Sequence, residues 1–171
     1  INFAPVLDVN FNPENPIIGN RSFGEDPVTV GELGIQYMKG MQDSRVLACA
    51  KHFPGHGDTD TDSHKGLPII KHSKERLESV ELLPFKMLIK NGLGSIMVAH
   101  LHIPSLDKEK DLAVSLSPKV VNGLLKKDLD FKGLVITDAL NMKGVSKFYN
   151  PGIVDLKALL AGNDVLLFSE D

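Results

Sequence analysis

The sequence predicts an α/β fold built on a parallel sheet, of the (β/α)8 TIM-barrel type and incomplete in this chain. Three observations carry that reading: five short apolar runs that do not alternate in polarity, helical patterns between them, and ionisable residues at the ends of the runs. Strands covered by helices on both faces are apolar throughout, whereas a strand with one face in water alternates.

The runs are INFAPVLDV (1–9), VLACAKHF (46–53), GSIMVAHLHIP (94–104), GLVITDAL (133–140) and NDVLLF (163–168), bounded by Gly, Asn, Asp or Pro. Helices are expected between them. DPVTVGELGIQYMKGM begins with Asp26 as N-cap and Pro27 at the first helical position. SKERLESVELLPFKMLIKNG sets Leu77, Val80, Leu83 and Leu88 at near-helical spacing, with Pro84 expected to break or kink it and Asn91-Gly92 to end it. SPKVVNGLLKKDL repeats the pattern with Ser117 and Pro118, and KALLAG leads into the last run.

These connections are long enough to cross over between parallel neighbours. A doubly wound open sheet usually carries a glycine-rich phosphate turn after its first strand, and this sequence has none. A barrel matches the strand ends better. Asp8 follows PVL, Lys51 and His52 follow LACA, His100 and His102 follow IMVA, and Asp138 follows LVIT. Four successive runs thus finish in ionisable groups, at the end where barrel enzymes place their active sites. A complete barrel needs about 250 residues, so the 171 residues here are expected to be a piece of one.

Composition narrows the function. With 42% hydrophobic and 24% charged residues the chain can bury a sizeable core, and its net charge of −3 leaves no basic surplus for nucleic acid or an anionic membrane. No apolar run approaches the length of about 20 residues that spans a bilayer. Cys49 is the only cysteine, which excludes an intrachain disulfide and leaves both a cytoplasmic and an exported location open.

KHFPGHGDTDTDSHKG (51–66) concentrates three of the six histidines and three aspartates on one glycine-rich loop. Asp62 can accept a hydrogen bond from His64, fixing its tautomer and favouring its charged form, or the two can form a simple turn. Asp138, directly after LVIT, is either a carboxylate held rigidly in the strand-end cleft or the N-cap of a following helix. His52, His56 and His64 with Asp58, Asp60 or Asp62 offer metal-ligand chemistry, but their spacing matches no helical pair, and the loop lacks the glycine and glutamate of a calcium loop. No metal is expected.

Together, KHFPGHGDTDTDSHKGLP and VITDALNM closely resemble the paired signatures of glycoside hydrolase family 3 β-N-acetylglucosaminidases; APVLDVN, GNRSFGEDP and MVAHLHIP are similar to that family too. The resemblance runs over nearly the whole chain. It implies a barrel represented here by strands four to eight, with residues 1–171 the C-terminal portion of one catalytic domain and the first three or so βα units absent. It also implies Asp138 as nucleophile, His64 with Asp62 as acid/base, Arg21, Lys51 and His52 as sugar-holding residues, His56 as a support for the loop, and no cofactor. The expected partners are a carbohydrate, a terminal N-acetylglucosamine glycoside, and the missing part of the barrel. Gly55, Gly57 and Gly66 suggest a loop free to close over sugar.

Overall fold

The computed structural model describes residues 1–59, 66–150 and 152–169. Strands β1 (Cys49–Phe53), β2 (Ser95–Val98), β3 (Leu134–Ala139) and β4 (Val165–Leu167) form one sheet in the order β1-β2-β3-β4. Every neighbouring pair is parallel, with Ala50 beside Ile96, Ile96 beside Val135 and Ile136 beside Val165. All four residues of β2 are buried, as a strand covered on both faces must be. The α/β architecture is the one expected, and the sheet is an open portion of a barrel.

The first apolar run departs from expectation. It lies along β1 through two isolated parallel bridges, Asn2 to Ala48 and Val6 to Lys51, instead of forming a continuous strand. Its hydrogen bonds include Asn2 N to Leu47 O at 2.9 Å and Lys51 N to Pro5 O at 3.0 Å. Pro5, in the middle of the run, has no N–H to contribute, so the ladder is interrupted there.

Helix starts follow the local chemistry. Asp26 caps α1 (Pro27–Asp43) by accepting from Thr29 N at 2.7 Å, and Ser73 caps α2 (Lys74–Ser79) by accepting from Arg76 N at 3.3 Å. α3 (Leu82–Lys90) follows after a break at Val80. Pro84 sits in the first turn of α3, where a missing N–H leaves no intrahelical bond unmade. Its ring would meet the carbonyl four residues back, at Val80, which is where the chain leaves the helix. After Ser117-Pro118 the helix is a wide π-helix (Lys119–Asp128) rather than an ordinary α-helix. The short α4 (Lys143–Ser146) and α5 (Ile153–Ala161) complete the crossover from β3 to β4. Among the described residues no helix is long and apolar enough to cross a membrane.

The main core lies where α1 and α3 pack on the β1–β2 end of the sheet and includes Leu7, Phe53, Phe85, Leu88, Ile96 and Val98. Phe53 and Phe85 meet edge to face, with ring centroids 5.3 Å apart at 88°. The segment after β1 is packed as closely. A Cβ at Gly57 would overlap the Val9 carbonyl. Gly57→Ala is therefore expected to lower stability by about 1–3 kcal/mol in urea unfolding, as overpacking against fixed backbone does; a change within about 0.5 kcal/mol would show that this packing yields freely.

Candidate active site

A cleft of about 250 Å³ opens beside the sheet, with Lys51 and His52 of β1, Asp138 of β3 and Arg21 among its lining residues. Phe3 and Phe168 add apolar walls. The C-terminal ends of parallel strands are where such folds place their ligands. Asp138, Arg21, Lys51 and His52, separated by up to 117 positions in sequence, are thus brought together.

Each has an identifiable support. Arg21 ends the short 3-10 turn Gly19–Arg21; its Nη1 donates to Ile17 O at 3.4 Å and its Nη2 lies 3.5 Å from His52 Nε2. Lys51 and His52 both face the cleft, although successive strand residues normally alternate. The peptide between them is cis, and the β1–β2 register shifts between Ala50 and Phe53. Burial holds the Lys51 ammonium below its ordinary pKa and the Arg21 guanidinium acts in the same direction, while Asp138 opposes both.

Asp138 belongs to β3 and caps no helix: α4 begins later, with Met142 at its N-cap. One carboxylate oxygen accepts from the neighbouring Ala139 N at 2.9 Å. Behind it, buried His100 places Nε2 3.0 Å from Ala139 O and Nδ1 2.7 Å from Ser115 Oγ. A carbonyl can only accept, so Nε2 donates, and the ring fastens the end of β3 to Ser115. His100 thus braces the end of β3, and His102 is 3.2 Å from Leu112 O; neither is among the residues lining the cleft.

Asp8 is an ionisable strand end to which the sequence by itself assigns no role. It is fully buried and accepts from His52 Nδ1 at 2.6 Å, from His56 N at 2.6 Å and from His52 N at 3.3 Å. Burial by itself would raise the carboxyl pKa; the charge and ring hydrogen bond of His52 and the contacts of His56 outweigh it and hold Asp8 below the usual carboxylate value.

His56 is buried and braces the loop, as the resemblance implies. Its Nδ1 lies 2.6 Å from Thr59 Oγ1, whose hydroxyl donates to His56 O at 3.0 Å. Asn15 Nδ2 donates to the same carbonyl at 2.8 Å, and Asn12 Nδ2 donates to Thr59 O at 3.1 Å. Two of the glycines allow close approach: Gly55, at φ 138°, packs on Glu81 and Gly57 on Val9, while among the described residues a Cβ at Gly66 would meet nothing closer than 3.9 Å. Asp62 and His64 lie outside the described residues, as do Asp60 and Lys65.

Metal chemistry is similarly constrained. His52 and His56 turn to Asp8 and Thr59, so they do not converge with Asp58. Among the described residues, Asp58, His72 and Glu81 do bring ligand atoms within 4.8 Å of one another. The groups of that cluster already have partners: His72 Nε2 lies 2.6 Å from Asp58 Oδ2, and Arg76 Nη1 donates to both Glu81 oxygens at 2.7 and 2.8 Å. A guanidinium this close repels a metal cation. The network ties the loop's base to α2 and α3.

Residues 1–171 match the glycosyl hydrolase family 3 N-terminal domain. The chain belongs to this family. It is 41% identical to beta-hexosaminidase A of Pseudoalteromonas piscicida, over 98% of this chain and 30% of that protein. It superposes on the structure of a glycoside hydrolase family 3 beta-N-acetylglucosaminidase from Paenibacillus sp. strain FPU-7 with a TM-score of 0.94 and 47% identity, covering 97% of this chain and 32% of the other. A beta-glucoside phosphorylase, BglX, superposes with the same TM-score at 28% identity, covering 99% and 32%. The family 3 chain thus spans about a third of the length of each of these relatives.

Burial holds the His56 pKa below its ordinary value; Asp8 and Asp138 oppose this and His52 reinforces it. As pH falls through about 6.5, an unfolded histidine takes up a proton while this ring resists, so the unfolded state binds more protons and stability falls. Glu81, raised chiefly by burial, acts in the opposite direction. Stability should therefore drop less in His56→Gln than in the unsubstituted protein between about pH 7.5 and pH 5.5. Equal losses in urea titrations would refute the assignment.

Proposed function

We propose that this family 3 chain belongs to the catalytic domain of a retaining, exo-acting β-N-acetylglucosaminidase. Its substrates would be terminal β-linked N-acetylglucosaminides, and we infer peptidoglycan-derived muropeptides as their source. One observation carries the reading: Asp138, on the rigid end of β3, shares a cleft with Arg21, Lys51 and His52. The likeness to the Paenibacillus beta-N-acetylglucosaminidase supports the choice of sugar. We take residues 1–171 as the C-terminal portion of the barrel and assign completion of the pocket to further βα units of the same protein; the open sheet and the share of each relative covered support this.

In the proposed reaction Asp138 attacks the anomeric carbon. The bond to the leaving oxygen breaks as that oxygen takes a proton from the His64 imidazolium, and a glycosyl ester forms on Asp138. Water then attacks the same carbon, neutral His64 removes its proton, and Asp138 is released, so two inversions retain the configuration. Asp62 steadies the imidazolium. A histidine suits this double role because its pKa lies near neutrality. Arg21, Lys51 and His52 hold the sugar, with the two cations and the imidazole supplying directional hydrogen bonds to hydroxyls.

Likeness to the phosphorylase supports a second reading, in which phosphate replaces water in the second half. An imidazole carries no negative charge to repel incoming phosphate, unlike a carboxylate. Product analysis in phosphate buffer separates the two readings, since the phosphorylase would release a sugar 1-phosphate.

With a chromogenic N-acetylglucosaminide and the protein that carries this chain, Asp138→Ala is expected to reduce kcat by about a thousandfold or more. Unchanged turnover would remove Asp138 from the mechanism. A chelator should leave the rate unaltered, and inhibition reversed by added zinc would instead place a metal in the reaction.

A further inference from the structure

Asp8 plays no part in the reaction proposed above, yet it is a fully buried carboxylate directed at one of the sugar-holding residues. Its bonds from His52 N and His56 N do not require a charge, because an amide oxygen accepts from backbone N–H groups as well. The ring contact does use the charge. An ionised carboxylate can only accept, so His52 Nδ1, 2.6 Å from Asp8 Oδ2, carries hydrogen. On the other side of the ring, Arg21 Nη2 is 3.5 Å from Nε2, and a guanidinium can only donate. His52 is thus held between an acceptor-only and a donor-only neighbour, an arrangement with one matching neutral tautomer: hydrogen on Nδ1 and a lone pair on Nε2.

We propose that Asp8 is a positioning residue that fixes this tautomer, making His52 Nε2 a hydrogen-bond acceptor in a cleft whose other polar groups include the donors Arg21 and Lys51. The ligand group that matches is a hydroxyl, which can donate to Nε2 while accepting from Arg21 or Lys51. A group that only accepts, such as fluorine or an ether oxygen, satisfies the cations and leaves Nε2 unpaired. The same carboxylate holds His56 N at 2.6 Å, so the orientation of the turn and the tautomer of its ring depend on one side chain. This inference rests on the sugar-site reading above for its ligand, but the tautomer itself does not.

Asp8→Asn tests it. The amide oxygen can keep the bond from His56 N, which turns the NH2 group toward His52 Nδ1. That nitrogen must then accept, and the ring proton moves to Nε2, where it faces the Arg21 donors. Nitrogen-15 NMR of the histidine-labelled protein should show His52 protonated on Nδ1 before the substitution and on Nε2 after it. The folded variant should lose about 10- to 100-fold in kcat/KM, the effect of leaving a buried polar group mispaired. Combining Asp8→Asn with His52→Ala should add little to the loss caused by His52→Ala alone, because both act through one ring.

A His52 protonated on Nε2 in the unsubstituted protein would overturn the proposal, whether or not the variant folds. So would a folded Asp8→Asn protein with unchanged kcat/KM and reduced stability, the result of a purely structural role, or losses that multiply in the double variant. If Asp138→Ala kept full activity, the glycosidase reading would fail while the NMR measurement still decided the tautomer.

Discussion

The contact on which both fold and site depend is the one between Asp8 and the turn after β1. Asp8 lies at the end of a segment that is only bridged to the sheet, and His52 and His56 stand 44 and 48 positions further on. One buried carboxylate therefore joins the sheet's edge segment, the end of β1 and the base of the long loop. Its pKa is held below the usual carboxylate value, so it is ionised at neutral pH and can only accept hydrogen bonds. Around it the Asn12, Asn15 and Thr59 hydrogen bonds fasten the same turn from a second direction, and Gly57 allows the Val9 backbone to approach.

The cleft brings a negatively charged carboxylate and two cations to strand ends that the sheet holds rigid. Lys51 sits between Arg21, which disfavours its charge, and Asp138, which favours it. Among the described residues no ion pair joins Asp138 to Lys51 or Arg21 within 4.0 Å. The charges stay available to a ligand. His100, braced between Ser115 and the Ala139 carbonyl, secures β3 from behind, so orientation of Asp138 is set by the strand and not by a surface side chain.

Much of this was legible in the sequence where the cause is local. Asp26-Pro27 and Ser73 mark helix starts because a cap and its N–H groups lie within a few residues. Asp138 after LVIT, and Lys51-His52 after LACA, were legible because a strand carries its last residues to one edge of the sheet. What failed depended on distant partners. INFAPVLDV looks like a strand until Pro5 meets a ladder that needs an N–H. Nothing local shows that Gly55 and Gly57 also admit Glu81 and the Val9 backbone at close range. His100 and Asp8 are both ionisable strand ends, and nothing local distinguishes a brace for β3 from a partner for His52.

The proposed reaction depends on a covalent bond between Asp138 and the sugar. Trapping with a slow fluorinated N-acetylglucosaminide, followed by peptide mass spectrometry, tests it most directly. One glycosyl unit per molecule is expected, attached to Asp138 in the peptide containing LVITDALNM and released on prolonged incubation in water. A glycosyl group attached to any other residue, or turnover of the reagent with no covalent adduct, would contradict it.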